Sequence, residues 1–209
     1  DTHTLPAEKQ PWNSKPLTMS TVLAVLSLCL LLAIACHAKP QQQRYNDCHE
    51  RWVSGERIPG VYEIHPNGTK APTKVYCDHS VKGTYTVIQR RFDGKVNFYT
   101  TYEYYQRGFG DPLGDYWAGL DTISALTLTG NNYLRIDLSD WSGNQRYAEY
   151  SKFTVDPRSN YYRMTATGFY GNIPDDLSYQ SGNYFFTPDA PDQYNCAKNM
   201  RGGWWYYYC

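Results

Sequence analysis

No Gly-x-y repeat and no heptad run occurs in the 209 residues, which excludes a collagen stalk and a coiled coil. Neither charge is in excess: 20 Lys and Arg stand against 20 Asp and Glu. There is no basic stripe and no acidic tail. A nucleic-acid partner is therefore not expected, because phosphate binding needs clustered cations. The chain lacks the Cys-x-x-Cys pair of a zinc site. It also lacks a Gly-x-Ser-x-Gly elbow and a phosphate-cradling glycine loop. His49, His65 and His79 are scattered, with no nucleophile beside them. No apolar run reaches the roughly 20 residues that a comfortable membrane span needs.

What is abundant is tyrosine, 21 residues against only 7 Phe. Tyrosine joins an apolar ring to a polar tip, and suits strands, half-wet surfaces and contact sites. An ordinary β domain with wet edges and a recognition surface both fit this composition. The length admits one or two domains.

The longest apolar run, Val22 to Cys36, follows the short polar start Met19-Ser20-Thr21. Cys36-His37-Ala38 ends it, and Lys39-Pro40-Gln41-Gln42-Gln43 follows. The pattern predicts a secretory signal peptide over 19–38, cleaved after Ala38. No Lys or Arg stands between Met19 and the run, and a membrane anchor is the competing reading. Residues 1–18 then read as leader ahead of the true start, 39–47 as a linker, and 48–209 as the folded domain. Export removes Cys29 and Cys36 and leaves Cys48, Cys77, Cys196 and Cys209. An even cysteine count in an exported chain means disulfides, and four cysteines allow three connectivities. The local one closes two short loops, which stabilise by about 3.6 and about 3 kcal/mol through restriction of the unfolded chain.

Strand patterns dominate. Tyr133–Leu138 alternates, with Leu134, Ile136 and Leu138 on one face. Tyr162–Thr167, Tyr85–Arg91 and Tyr147–Val155 read as further strands. Asn67-Gly68, Asp93-Gly94, Ser142-Gly143-Asn144 and Asp156-Pro157 mark turns between strands. Thr101 can cap a helix over Tyr102–Arg107 that Gly108 ends, and Asp121 can cap one over Thr122–Thr127. The sum is an α+β fold with an antiparallel sheet.

Cys48 to Cys209 carries an ordered series of motifs. It runs Gly60-Val61-Tyr62-Glu63-Ile64, Val75-Tyr76-Cys77-Asp78, Ile88-Gln89-Arg90-Arg91-Phe92-Asp93-Gly94 and Gly114-Asp115-Tyr116-Trp117-Ala118-Gly119-Leu120-Asp121. Leu134-Arg135-Ile136-Asp137-Leu138, Tyr147-Ala148-Glu149-Tyr150, Asn195-Cys196-Ala197 and Gly202-Gly203-Trp204-Trp205-Tyr206 complete it. This series resembles the fibrinogen C-terminal (fibrinogen-like) domain. The resemblance implies the pairs Cys48–Cys77 and Cys196–Cys209. It also implies a small disulfide-bonded N-terminal subdomain, a central antiparallel sheet with short helices, and a last subdomain that is incomplete here. Family members are binding proteins, not enzymes. Ficolin-like and tachylectin-like members bind acetylated sugars; angiopoietin-like and tenascin-like members bind receptors or matrix.

The expected function is thus that of a secreted, extracellular lectin of innate defence that binds a glycan. The alternative is a matrix or signalling ligand for a cell-surface protein. No membrane span is expected in the mature chain. The family carries an Asp-x-Asp calcium pair before the third mature cysteine, and Asp189 and Asp192 occupy that segment, with calcium as the implied cofactor. Pro191 falls where a ligand Asp belongs. Met200, Tyr208 and Cys209 fall at the family's acetyl-group pocket, with Met200 replacing a Tyr. Asn67-Gly68-Thr69 is a glycosylation sequon. Asp137/Asp140 and Asp175/Asp176 read as solvated acids rather than as a glycosidase pair.

Overall fold

The computed structural model of the chain describes residues 18–20, 23, 24, 27, 43–69, 71–80, 83–128 and 132–209. Two units are distinguished, Asp1–Gln43 and Arg44–Cys209. The leader and signal-peptide readings lie almost wholly outside the described residues, as does the first half of the linker. Among the described residues no helix is long and apolar enough to cross a membrane.

In the second unit, helix α1 (Cys48–Val53) starts at Asp47, whose carboxylate accepts the Glu50 N–H at 2.8 Å. Glu50 in return accepts the Asn46 N–H at 2.7 Å, a reciprocal cap that satisfies two otherwise orphaned donors. Three antiparallel strands follow in sequence order: β1 (Gly60–Ile64), β2 (Thr73–Ser80) and β3 (Gly83–Val87). On β2 alternate residues Val75, Cys77 and His79 are buried, so one face of the meander closes over a small core. Cys48, Ile64, Val75 and Cys77 form that core, and the Cys48–Cys77 disulfide ties α1 to β2 with Cα atoms 5.4 Å apart.

The expected strand Tyr85–Arg91 is two strands. Hydrogen bonding passes from one sheet to another at Ile88, whose carbonyl accepts the Ala118 N–H. A second sheet pairs β4 (Gln89–Arg90), β6 (Tyr116–Trp117) and β5 (Phe109–Gly110). A third is the meander β7 (Leu134–Ser139), β8 (Gln145–Val155) and β9 (Met164–Gly171). On β7 Leu134 and Ile136 pack on the core, but Leu138 is 49% exposed, because the hairpin end runs out past the core. The strand expected from Tyr162 begins at Met164; Tyr162 itself sits in the left-handed region at φ 52°.

Helix α2 (Tyr102–Arg107) lies between β4 and β5 of the second sheet in sequence, and α3 (Leu120–Thr127) between β6 and β7. Gly108 ends α2 as its sequence suggests, but neither N-terminus is capped by the expected side chain. The Thr101 side chain makes no cap bond; the Tyr102 N–H is taken instead by Asp189 at 2.9 Å, 87 residues away. Gly119, at φ 95°, is the N-cap of α3, where a Cβ would lie 2.7 Å from the Arg107 carbonyl carbon. Asp121 is therefore inside the first turn. Its carboxylate accepts the Tyr162 hydroxyl and, at 3.1 Å, the Gln106 amide.

The main core is aromatic, with Phe98, Trp117, Phe153, Phe185 and Trp205 buried together with four tyrosines. Each buried tyrosine finds an acceptor: Tyr105 the Phe98 carbonyl at 2.7 Å, Tyr116 the Val87 carbonyl, Tyr150 the Asp175 carboxylate at 3.0 Å, and Tyr162 the Asp121 carboxylate. Burial and the hydrogen bond to Asp175 push Tyr150 up to about 12. Part of the tyrosine surplus is thus structural: large rings fill the interior while their hydroxyls tie loops to it.

Candidate binding surface

The C-terminal segment is pinned to this core before it reaches the surface. Phe186 and Trp204 exchange backbone hydrogen bonds of 2.9 and 3.0 Å. The Trp205 indole donates to the Tyr162 carbonyl at 2.7 Å, and the Trp204 indole to the Gln180 amide. Between them and α2, the Tyr105 hydroxyl donates to Phe98 and accepts the Gly203 N–H at 2.9 Å. Gly203 admits no side chain: a Cβ would lie 2.7 Å from the Tyr105 ring and 2.9 Å from that of Phe185.

Helix α4 (Cys196–Asn199) lies in the same segment, and the Cys196–Cys209 disulfide brings the chain end back to its first residue. The Met200 N–H bonds the Cys196 carbonyl at 2.8 Å. Met200 and Cys209 therefore gather around Cys196, and both are exposed. Tyr208 is exposed beside them and meets Tyr194 edge to face at 5.0 Å and 77°. Its neighbour Tyr207 meets Tyr179 in the same way, at 4.9 Å and 85°. Tyr206 is half-buried, with its hydroxyl on the Gly202 carbonyl at 3.1 Å, and burial pushes it up to about 12. The result is two adjacent tyrosine pairs on a clamped, disulfide-closed segment. Edge-to-face packing fixes each ring in place while leaving one of its faces free.

Tyr179 and Tyr194 carry no local sign of this role. They meet their partners only because the chain returns, through the Phe186–Trp204 bridge for one and the disulfide for the other. The sequence marks the tyrosine run at 206–208 and, through the family resemblance, Met200 and Cys209.

Asp192 is an acceptor for backbone rather than an open carboxylate, whereas Asp189 is exposed and engaged through Oδ1 alone. Asp189 accepts the Tyr102 N–H and, at 2.7 Å, the Thr187 hydroxyl. Asp192 is 7% exposed and accepts three backbone N–H groups: Tyr194 at 2.9 Å, Cys196 at 3.1 Å and Ala197 at 3.2 Å. Burial alone would raise its pKa; the three N–H groups outweigh burial and hold the carboxyl below the usual range. A hard cation wants six to eight oxygens with free lone pairs. Asp192 is fully taken by donors and Asp189 offers one open oxygen, so these two side chains alone do not supply the oxygens of a calcium centre. No group of three or more His, Cys, Asp or Glu gathers among the described residues.

A tighter hub of the same kind lies at Asp115, whose side chain is fully buried. It accepts the Phe92 N–H at 2.5 Å and those of Val96 and Asp93, both at 3.2 Å. The Phe92 bond foremost, with the other two and the Arg91 guanidinium at 4.0 Å, overcomes burial and lowers Asp115 to about 2. Asp137, Asp140 and Asp175 are likewise engaged. Asp137 pairs with Arg135 at 2.9 Å, and Asp140 accepts the Ser142 and Asn144 N–H groups at 2.9 Å across the β7–β8 turn. Asp175 accepts the Ser178 N–H at 3.1 Å in addition to the Tyr150 hydroxyl.

Comparison with known proteins places the chain. Residues 44–209 match the family described as fibrinogen beta and gamma chains, C-terminal globular domain. The chain belongs to this family. Among its relatives are angiopoietin-related protein 1 of Bos taurus, 41% identical over 166 residues, and angiopoietin-related protein 6 of Homo sapiens, 40% identical over 169 residues. These alignments cover 78% and 79% of the chain but 34% and 36% of the relatives, so the chain spans about a third of their length. The fibrinogen-like globe domain of human ANGPTL2 superposes with a TM-score of 0.75 at 40% identity, covering 78% of this chain and 77% of that one. Lamprey fibrin D-dimer, in complex with the peptide Gly-His-Arg-Pro-amide, superposes at 0.70 with 28% identity, covering 89% and 67%. The fold is thus the fibrinogen-like globe, and these relatives favour the protein-ligand alternative over the lectin reading.

Proposed function

We propose that residues 44–209 form an extracellular binding module that engages a cell-surface protein through the tyrosine face of its C-terminal segment, as a signalling or matrix ligand and not as an enzyme. The observation that carries this is the paired arrangement of Tyr179 with Tyr207 and Tyr194 with Tyr208, beside exposed Met200, on a segment clamped to the core. Rigid aromatic rings lose few rotamers on binding, so contact area comes at low entropic cost. The similarity to angiopoietin-related proteins supports a protein partner, and two disulfides support an extracellular setting.

Exposed aromatic faces also stack on sugars, which keeps glycan recognition as a second reading. Capture of the labelled protein on cells separates the two. Capture abolished by mild protease treatment of the cells and untouched by N-acetylated sugars supports the protein partner. Capture that survives protease and is competed by such sugars overturns it in favour of a lectin. The pair Tyr207→Ser/Tyr208→Ser is expected to lower capture at least tenfold with no change in melting temperature; unaltered capture removes this face from the site.

A further inference from the structure

The loop between β1 and β2 carries Asn67-Gly68-Thr69 beyond the last strand pair, Ile64 with Thr73. Pro66 is buried and anchors the turn, with its carbonyl accepting the Thr69 N–H at 3.1 Å and the Thr69 hydroxyl at 2.7 Å. Gly68 turns the chain at φ 85°, and a Cβ there would meet nothing within 4 Å, so the turn is unpacked at the residue next to Asn67. Asn67 is exposed, and among the described residues its side-chain amide has no hydrogen-bond partner. Other asparagines use theirs: Asn97, Asn144, Asn160 and Asn183 donate Nδ2 to the Tyr99 carbonyl, Asp140, Asp156 and the Gln180 carbonyl.

We infer that Asn67 carries an N-linked glycan. Attachment replaces one N–H of an amide that supports nothing among the described residues, at an exposed turn. The β1–β2 ladder ends before the sequon, and the Cys48–Cys77 disulfide holds the small sheet independently of the turn. A sugar at this site shields the β1–β2 turn of the disulfide-bonded subdomain. The inference rests on the extracellular reading, since the modification is made only on chains entering the secretory route.

Expression of the full chain in cells that glycosylate, with recovery from medium and from lysate, tests both. The secreted chain is expected to migrate more slowly than after peptide N-glycosidase treatment, with Asn67 converted to Asp in the treated peptide. Asn67→Gln and Thr69→Ala are expected to lose the shift completely, and Thr69→Ser to keep it. A secreted chain with unmodified Asn67 overturns the glycan and leaves export standing. A chain found only in the cytosol without sugar overturns both.

Discussion

Replacing Asp192 by alanine strands three donors. The N–H of Tyr194 belongs to a half-exposed residue and turns to water. Those of Cys196 and Ala197 belong to residues with no exposed surface, and no other acceptor is beside them. An unsatisfied buried donor costs about 1–3 kcal/mol, so Asp192→Ala should lose about 2–6 kcal/mol. Asp192→Asn keeps the oxygen that serves Tyr194 and Cys196 but turns an amide N–H₂ toward the Ala197 N–H. One donor is stranded, for about 1–3 kcal/mol. With whole-domain stability of about 5–15 kcal/mol, the alanine variant stands near the edge of folding and the asparagine variant does not. Urea unfolding of the full chain, followed by tryptophan fluorescence, measures both losses. The same ordering is expected in EDTA and in millimolar calcium, because the partners are backbone N–H groups and not a cation. An alanine variant within about 0.5 kcal/mol of the parent refutes the reasoning. So does a chelator that lowers the parent to the level of its variants, which would return Asp192 to the calcium role its sequence suggested.

Gly203→Ala drives a methyl into the Tyr105 and Phe185 rings and should cost about 1–3 kcal/mol in the same urea assay; an unchanged midpoint would show that this segment can shift away. Asp115 has a folded pKa of about 2, below that of an unfolded Asp at about 3.9. Its contribution is complete above the unfolded value and fades as pH falls from about 4 toward 2, so acid melts of the parent should steepen in that window. Asp115→Asn should flatten that part of the pH profile, and a parallel profile would count against the hub. Trp141 is as exposed as a free side chain, at 105%. Trp141→Ala should change stability by less than about 0.5 kcal/mol, and a larger loss would show that the β7–β8 tip packs on something.

The strands were legible because their sequence obeys a local rule. The alternation over Leu134–Leu138, the glycine turns and the run Tyr147–Val155 each state a period or a break within ten residues. The helix caps were not, because the deciding partners are distant. Nothing near Tyr102 announces that its N–H will be taken from 87 residues away by Asp189. Nor does Gly119 look like a better helix start than Asp121 until the Arg107 backbone is beside it. The acids are ambiguous for a related reason. A carboxylate that gathers N–H groups and one that gathers a cation present the same residue in the same kind of loop, and only the direction of the surrounding donors separates them.

The binding surface follows from the same tyrosine chemistry that fills the interior. Tyr105, Tyr150 and Tyr162 are buried because each hydroxyl meets an acceptor within the fold. Tyr207 and Tyr208 lie past the last clamps, Trp204 and Trp205 on their acceptors, and meet Tyr179 and Tyr194 from earlier in the chain. Tyr207 packs edge to face on Tyr179 and Tyr208 on Tyr194, and all four residues are exposed. A ring held by its edge, with its face and hydroxyl free, is what a protein contact uses: apolar area at little rotamer cost, and a donor to direct it. Recognition here is therefore the core's own device, left without its internal acceptor.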